Sequence, residues 1–269
     1  SLNSAPLDIS NTLATELFHH KDSVILTSAT LSTEGSFDYF KSRVGVGSDS
    51  EELLVGSPFD YQKAALLLIP EDMPPPNSDR YVDAMVKVLT DLGTTMKGRT
   101  MALFTSYASL RAVAQRLRAP LMGEDVQVLA QSIDGSAQQL MTRFAEEPNS
   151  VLLGTASFWE GVDMPSGLLK ALVLTRLPFQ VPTDPIVKAR SDQYESPFSQ
   201  YSVPQAVLRF RQGFGRLIRN KEDTGTIVIM DNRITAKNYG NSFLKSIPPC
   251  TLKPSSLMTV GQLAAQWNA

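Results

Sequence analysis

The stretch Thr100-Met-Ala-Leu-Phe-Thr-Ser-Tyr107 decides the fold. It opens as a short apolar run and ends in hydroxyls. Leu110, Val113, Ala114 and Leu117 then recur at i, i+3, i+4 and i+7, the spacing of one face of a helix. Ser106 or Thr105 is placed to cap that helix, because a short hydroxyl side chain accepts from the first unpaired amides. Strand, hydroxyl turn and helix in that order form the building unit of a parallel sheet. Working outward, apolar runs of strand length recur at residues 23–27, 64–69, 126–130, 150–154, 171–175 and 226–230. Helical spacing returns in Val82, Met85, Val86 and Leu89, and in Leu140, Met141 and Phe144. Strands alternating with helices of this length predict an α/β fold with a mostly parallel sheet covered on both faces.

The chain has 269 residues, of which 42% are apolar and 19% charged, enough to bury a core and unlike a disordered chain. No apolar run approaches the ~18 residues of a membrane helix, so no membrane segment is expected. A single cysteine, Cys250, excludes an internal disulfide and any site built from cysteines alone. His19 and His20 are neighbours whose side chains diverge on a helix, which predicts a solvated helix end and no metal ligands. The N-terminus lacks the basic, apolar, small-residue progression of a secretion signal, and with low cysteine use a cytoplasmic location is expected. The formal net charge of −2 offers no global basic field, so any nucleic-acid binding must be local. Residues 45–56, 70–79 and 180–201 are rich in Gly, Pro and polar side chains and read as surface excursions, and 257–267 as a last helix.

Two segments imitate nucleotide-binding motifs. Residues 93–100 nearly spell a phosphate loop, but a helix precedes them and a strand follows, the reverse of the order that aims backbone amides at a phosphate. They are expected to form a turn entering a strand. Asp231, after the apolar run 226–230, resembles a strand-ending Mg²⁺ ligand, but the chain has no phosphate loop to accompany it. A turn with Asn232 and Arg233 is expected instead.

Residues 204–220 carry the strongest chemical signal. On a continuous helix Val207, Phe210, Phe214, Leu217 and Ile218 span about 100° of arc, while Arg209, Gln212, Arg216 and Arg219 span about 80° on the opposite side. One face reads as core and the other as a row of guanidiniums, whose forks suit phosphate oxygens. A merely solvated basic face is the alternative. Gly213 and Gly215, at a helix cost of roughly 1 kcal/mol each, permit a close approach of backbone or ligand. In residues 150–165 a buried strand ends in Gly154-Thr155-Ala156-Ser157, at the end of a parallel strand where open α/β sheets bind ligands. Glu160 and Asp163 bracket Gly161 beyond it, and a capped loop with buried Phe158 and Trp159 is the plainer alternative.

Four segments in fixed order, Thr27-Ser28-Ala29-Thr30, Phe104-Thr105-Ser106-Tyr107, Gly154 to Asp163 and Gln212 to Arg219, resemble motifs III, IV, V and VI of superfamily-two helicases. The resemblance is to the XPD/DinG branch, with the bacterial DinG side nearest, and runs from about Pro6 to Cys250. It implies a RecA-like three-layer α/β/α domain, the P-loop NTPase-like second helicase lobe, over residues 57–269, with residues 1–56 as the end of the first lobe and a linker carrying motif III.

In that family two lobes sandwich ATP, and their closure drives 5′-to-3′ movement along single-stranded DNA. The resemblance implies that Arg219, as the finger, and Arg216 reach the ATP phosphates, and that Gln212 positions them or the attacking water. Asp163, Glu160 and Gly161 would sit near the nucleotide. Thr105, Ser106, Tyr107, Thr155 and Ser157 would follow the DNA backbone, and Ser28, Ala29 and Thr30 would couple hydrolysis to movement. The family's phosphate loop, DEAH box and, where present, four cluster cysteines precede motif III and are not in this sequence. ATP and Mg²⁺ are therefore expected in the complete enzyme, with Mg²⁺ held by an N-terminal lobe of the same parent protein and no iron–sulfur cluster in this chain. The expected partners are that lobe and single-stranded DNA, and this chain alone is expected to be inactive as an ATPase. Two alternatives differ in class. One is a stand-alone single-strand-binding module, and the other is a Rossmann-type small-molecule enzyme, for which Val44-Gly45-Val46-Gly47 lacks the helix that should follow.

Overall fold

A computed structural model describes residues 4–28, 30–33, 35–159, 165 and 167–269. Seven strands form one sheet: β1 (Ala65–Pro70), β2 (Thr100–Leu103), β3 (Gln127–Ala130), β4 (Ser150–Gly154), β5 (Ala171–Leu174), β6 (Gly225–Ile229) and β7 (Thr251–Ser255). Their order is β3-β4-β2-β5-β6-β1-β7, and every pairing is parallel. The helices, in chain order, begin with α1 (Ser10–Glu16), α2 (Asp38–Val44), α3 (Tyr61–Ala64), α4 (Tyr81–Thr95), α5 (Tyr107–Met122) and α6 (Ala137–Glu146). They continue with α7 (Ala156–Trp159), α8 (Pro185–Ser191), α9 (Val203–Phe214), α10 (Arg233–Ala236), α11 (Gly240–Ser246) and α12 (Val260–Asn268). The α/β class predicted by the alternation of runs is the class observed.

Two compact units divide the chain. The first comprises the described residues up to Gly56 together with Pro178–Leu208, and the second comprises Ser57–Leu177 and Arg209–Ala269. The whole sheet lies in the second. Its inner strands are apolar along their length because helices cover both faces of a parallel sheet; β2, β4, β5 and β6 are buried at every residue. The edges are less apolar: Gln127 of β3 is exposed, and so are the middle residues of β7. On one face Leu66, Leu68, Ala102 and Phe104 pack with Met85, Leu89, Leu110, Val113 and Leu117 of α4 and α5. Each fully buried side chain of this kind stabilises the fold by roughly 1.5–3 kcal/mol.

Local chemistry sets the joints. Ser106 caps α5, its hydroxyl accepting from the Ser109 N–H at 3.2 Å. Ser136 and Gln139 form a reciprocal capping box at the start of α6. Residues 93–100 make the expected turn into a strand: α4 ends at Thr95, Lys97, Gly98 and Arg99 all take positive φ, and β2 begins at Thr100. A Cβ on Gly98 would stand 2.2 Å from the Ser150 nitrogen, so glycine alone fits there.

Three expectations are corrected. Residues 23–27 form no strand, and Ile25 is 83% exposed. A β-branched run becomes a strand only where a neighbour takes its backbone hydrogen bonds, and none pairs with it among the described residues. Conversely β7 escapes the apolar-run criterion, because an edge strand holding Pro254 need not be apolar. The helix expected over 204–220 ends at Phe214, so Arg216 and Arg219 do not continue the face of Arg209 and Gln212. Gly213 and Gly215 weaken the last turn, and Asp223 holds the segment beyond it in a loop.

In the first unit, Gly45 closes α2 with φ 75°. The excursion 180–201 is not all irregular. Asp184 caps α8 by accepting from Ile186 and Val187, and a π-helical turn over Phe198–Ser202 leads into α9. Tyr194 stacks on Tyr201, and Gln205 donates to the Tyr39 hydroxyl at 2.5 Å.

Candidate functional site

The carboxyl ends of β3, β4 and β2, adjacent in the sheet, gather the hydroxyl residues. Gln131, the residue after β3, is 7% exposed and joins them. Its amide oxygen accepts from the Thr155 N–H at 2.7 Å and from the Thr155 hydroxyl at 2.9 Å. Its amide nitrogen donates to Ser157 Oγ at 2.7 Å and to the Tyr107 hydroxyl at 3.3 Å. Three expected DNA-contacting residues from two separate segments are thus brought onto one side chain. Thr155 is buried at 2%, whereas Ser157 and Tyr107 are exposed. Thr105 is half-buried and Ser106 exposed, at the N-terminus of the 16-residue α5, where partial positive charge favours an anion.

Gln131 was not among the residues singled out from the sequence. The rule that ligands meet parallel strands at their carboxyl ends applies to position 131 as it does to 105 and 155, and is the signal by which the sequence could have shown it.

Trp159, at the end of α7, connects this region to the arginines. Its indole N–H donates to the Phe104 carbonyl at 3.1 Å, fixing α7 to the end of β2. Its ring lies against Gly213 of α9, where a Cβ would stand 2.7 Å from two ring carbons. Its carbonyl accepts from Arg216 Nη2 at 2.8 Å. The close approach anticipated at Gly213 is therefore an approach of protein, the Trp159 ring.

Arg219 lies in the loop after α9. Its N–H and that of Asn220 donate to one oxygen of Asp223 at 2.8 and 3.1 Å, and the Gly167 N–H donates to the other at 2.9 Å. Asp223 is 4% exposed and sets the path of the backbone that carries Arg219. Gln212, Arg216 and Arg219 are all half-buried, neither sunk in the core nor fully solvated. Val207, Phe210, Phe214, Leu217 and Ile218 are buried, as the apolar arc predicts, although the last two lie beyond the helix. Arg211, also half-buried, has its guanidinium pKa lowered by burial.

Asp231 is fully buried and its carboxylate is engaged. It accepts from the Leu177 N–H at 2.9 Å and from Arg233 Nε and Nη2 at 2.9 and 2.6 Å. That is the strand-ending turn with Arg233, whose guanidinium engages both carboxylate oxygens. The Tyr81 hydroxyl donates to the Met230 carbonyl at 3.0 Å and also to that of Thr175, and burial pushes its pKa up.

Some expected site residues fall elsewhere. Ser28 and Thr30 belong to the first unit, where their hydroxyls are 3.1 Å apart. Ala29, Glu160, Gly161 and Asp163 lie outside the described residues. Among the described residues no three His, Cys, Asp or Glu side chains group as metal ligands, and no helix is long and apolar enough to cross a membrane.

Comparison with known proteins places these features in a family. Residues 89–250 match the model of a helicase C-terminal domain. The chain is 36% identical to the ATP-dependent DNA helicase YoaA of Haemophilus influenzae over 92% of its own length and 38% of that protein. It is likewise 36% identical to the 3′-5′ exonuclease DinG of Bacillus subtilis over 98% of its own length and 29% of that protein. It therefore spans about a third of the length of these curated relatives. In fold it resembles an XPD helicase with TM-score 0.67 at 17% identity, covering 92% of this chain and 45% of that one. It also resembles Saccharomyces cerevisiae Dbp5 bound to RNA and ADP BeF3, with TM-score 0.52 at 16% identity, covering 86% of this chain and 52% of that one. By sequence, motif order and RecA-like architecture, the chain belongs to the helicase C-terminal domain family, in its DinG/XPD-type branch.

Proposed function

We propose that this chain is the second motor lobe of an ATP-dependent DNA helicase that moves 5′ to 3′ along single-stranded DNA in the cytoplasm. The observation that carries the reading is the Gln131 network, which sets Tyr107, Thr155 and Ser157 together at the ends of β3, β4 and β2. Exposed hydroxyls beside a helix N-terminus suit phosphate oxygens without demanding a sequence. The segment after α9 supplies the second half of the reading: Arg216 is anchored on the same α7 that holds Ser157.

The residues present fit one wall of a nucleotide cleft. Arg219 and Arg216 offer planar forks to the phosphates of ATP and stabilise the charge that grows as the terminal phosphoryl group departs. Gln212 orients them or the attacking water. Asp163, with Glu160 and Gly161, serves nucleotide binding, at the ribose or at the arginines, and Ser28, Ala29 and Thr30 couple hydrolysis to movement. Mg²⁺ would neutralise the phosphate oxygens from the first lobe; in this chain Asp231, the carboxylate best placed by sequence to hold it, is committed to Arg233.

A steady-state ATPase assay with single-stranded DNA tests the assignment. The chain alone turns over no ATP, and adding the N-terminal lobe of its parent restores DNA-stimulated turnover. Robust hydrolysis by the chain alone overturns it. Binding of single strands with no turnover even beside that lobe supports instead a stand-alone binding module, which the hydroxyl network would equally serve.

A further inference from the structure

We propose that Gln131 is a positioning residue of the single-strand site: its side-chain amide sets the direction of the hydroxyl protons of Ser157 and Tyr107, making both of them donors to the phosphates of the bound strand. This rests on the reading of the hydroxyl cluster as a DNA contact and adds to it the residue that orients the cluster.

The argument is an accounting of protons. A backbone N–H only donates, so the amide atom of Gln131 that faces the Thr155 nitrogen at 2.7 Å is the oxygen. That single contact fixes the orientation of the whole amide, which geometry alone leaves ambiguous between oxygen and nitrogen. The other end is therefore NH₂, which has protons to give and accepts nothing. It gives them to Ser157 Oγ and to the Tyr107 oxygen. Each of these oxygens receives a proton from Gln131, so its own O–H points elsewhere. Ser157 and Tyr107 are exposed, and their protons face solvent, where an anionic oxygen can accept them.

Thr155 has the opposite fate. Its hydroxyl donates to the Gln131 oxygen at 2.9 Å and its side chain is buried. It braces Gln131, and it has no proton to offer a phosphate. Gln131 thus divides three hydroxyls into one buried brace and two outward donors. A glutamate at this position has nearly the same shape but, when ionised, only accepts. It would keep the brace and draw the protons of Ser157 and Tyr107 inward, away from the strand.

The test measures binding of a fluorescein-labelled dT20 oligonucleotide to this chain by anisotropy, for the wild type, Gln131→Glu, Ser157→Ala with Tyr107→Phe, and the triple variant, with thermal midpoints recorded in parallel. Hydrogen bonds to charged groups are strong enough that Gln131→Glu should weaken dT20 binding by about tenfold or more. Ser157→Ala with Tyr107→Phe changes only exposed side chains and should show a comparable loss even if Gln131→Glu fails to fold. In that background the further effect of Gln131→Glu should shrink to below about threefold, because neighbours acting through one another are not additive. Equal losses from Gln131→Glu in both backgrounds overturn the proposal while leaving the DNA-binding reading intact, whereas no loss from removing the two hydroxyls overturns both the reading of the cluster as a DNA contact and this inference. Failure of the wild type to bind dT20 overturns that reading and this inference with it.

Discussion

Arg216 donates from Nη2 to the carbonyl oxygen of Trp159 at 2.8 Å, joining the loop after α9 to the end of α7. The same tryptophan packs its ring on Gly213 and bonds the end of β2 through its indole nitrogen. One residue therefore links the strand that leads to Thr105, the helix that carries Ser157 and the segment that carries the arginines. A change at any of the three contacts should be felt at the other two.

Substitution of Arg219 separates chemistry from binding. In the full-length parent protein, Arg219→Ala should reduce ATP turnover by about 10³-fold, the scale on which an arginine finger acts, while dT20 affinity stays close to wild type. Arg219→Lys should fail similarly, since a point charge does not form the bidentate fork. Parallel titrations of turnover and affinity check this, and equal losses in both would remove Arg219 from the nucleotide side.

Gly213→Ala opposes two effects of different size. Alanine favours a helix over glycine by about 1 kcal/mol. Here the new methyl would stand 2.7 Å from the buried Trp159 ring, and overpacking of this kind costs about 1–3 kcal/mol. The packing cost should win, lowering stability in urea and disturbing the Trp159 contact with Arg216. A stabilised Gly213→Ala protein would show that the ring yields easily.

Asp223 accepts from three backbone amides, those of Gly167, Arg219 and Asn220. Removing a buried acceptor leaves those donors unpaired, so Asp223→Ala should destabilise the chain by about 3 kcal/mol or more. Asp223→Asn retains one acceptor oxygen and should cost less. Denaturant midpoints measure the stability, and ATPase assays on the full-length parent should show turnover falling with it as the Arg219 backbone shifts.

Alkaline pH should weaken the first unit through Tyr39. Burial is the main cause that pushes its phenol up to about 12, partly offset by the Gln205 hydrogen bond. The folded pKa lies above the ordinary value, so the stability tied to this group is complete below about pH 10 and lost as pH rises towards 12. Ultraviolet titration of phenolate should show late-ionising tyrosines, Tyr39, Tyr61 and Tyr81 among them, and Tyr39→Phe should remove one of them. The same substitution should flatten the loss of stability over that interval.

Much of the frame is legible in the order of residues, because buried parallel strands need continuous apolar runs and their covering helices need a 3.6-residue period. The runs at 150–154, 171–175 and 226–230 became β4, β5 and β6 for that reason. The same criterion misplaced residues 23–27 and passed over β7. Whether a run becomes a strand depends on a partner, and whether an edge needs apolar residues depends on what covers it. The turn at 93–100 and the strand-ending turn at Asp231 followed from the order of residues, whereas the Asp231 contacts with Arg233 and the Leu177 N–H did not.

The amino-acid order by itself determined the α/β class, the hydroxyl ends at 105–107 and 155–157, and the arginine-bearing segment after residue 208, since these depend on neighbours along the chain. Tertiary structure alone decided that α9 stops at Phe214, that Asp223 carries the Arg219 backbone, and that Gln131 collects Thr155, Ser157 and Tyr107 on one amide. The physical reason is that a hydrogen bond between residues 24 or 26 positions apart follows from the order of strands in the sheet, which no local periodicity encodes.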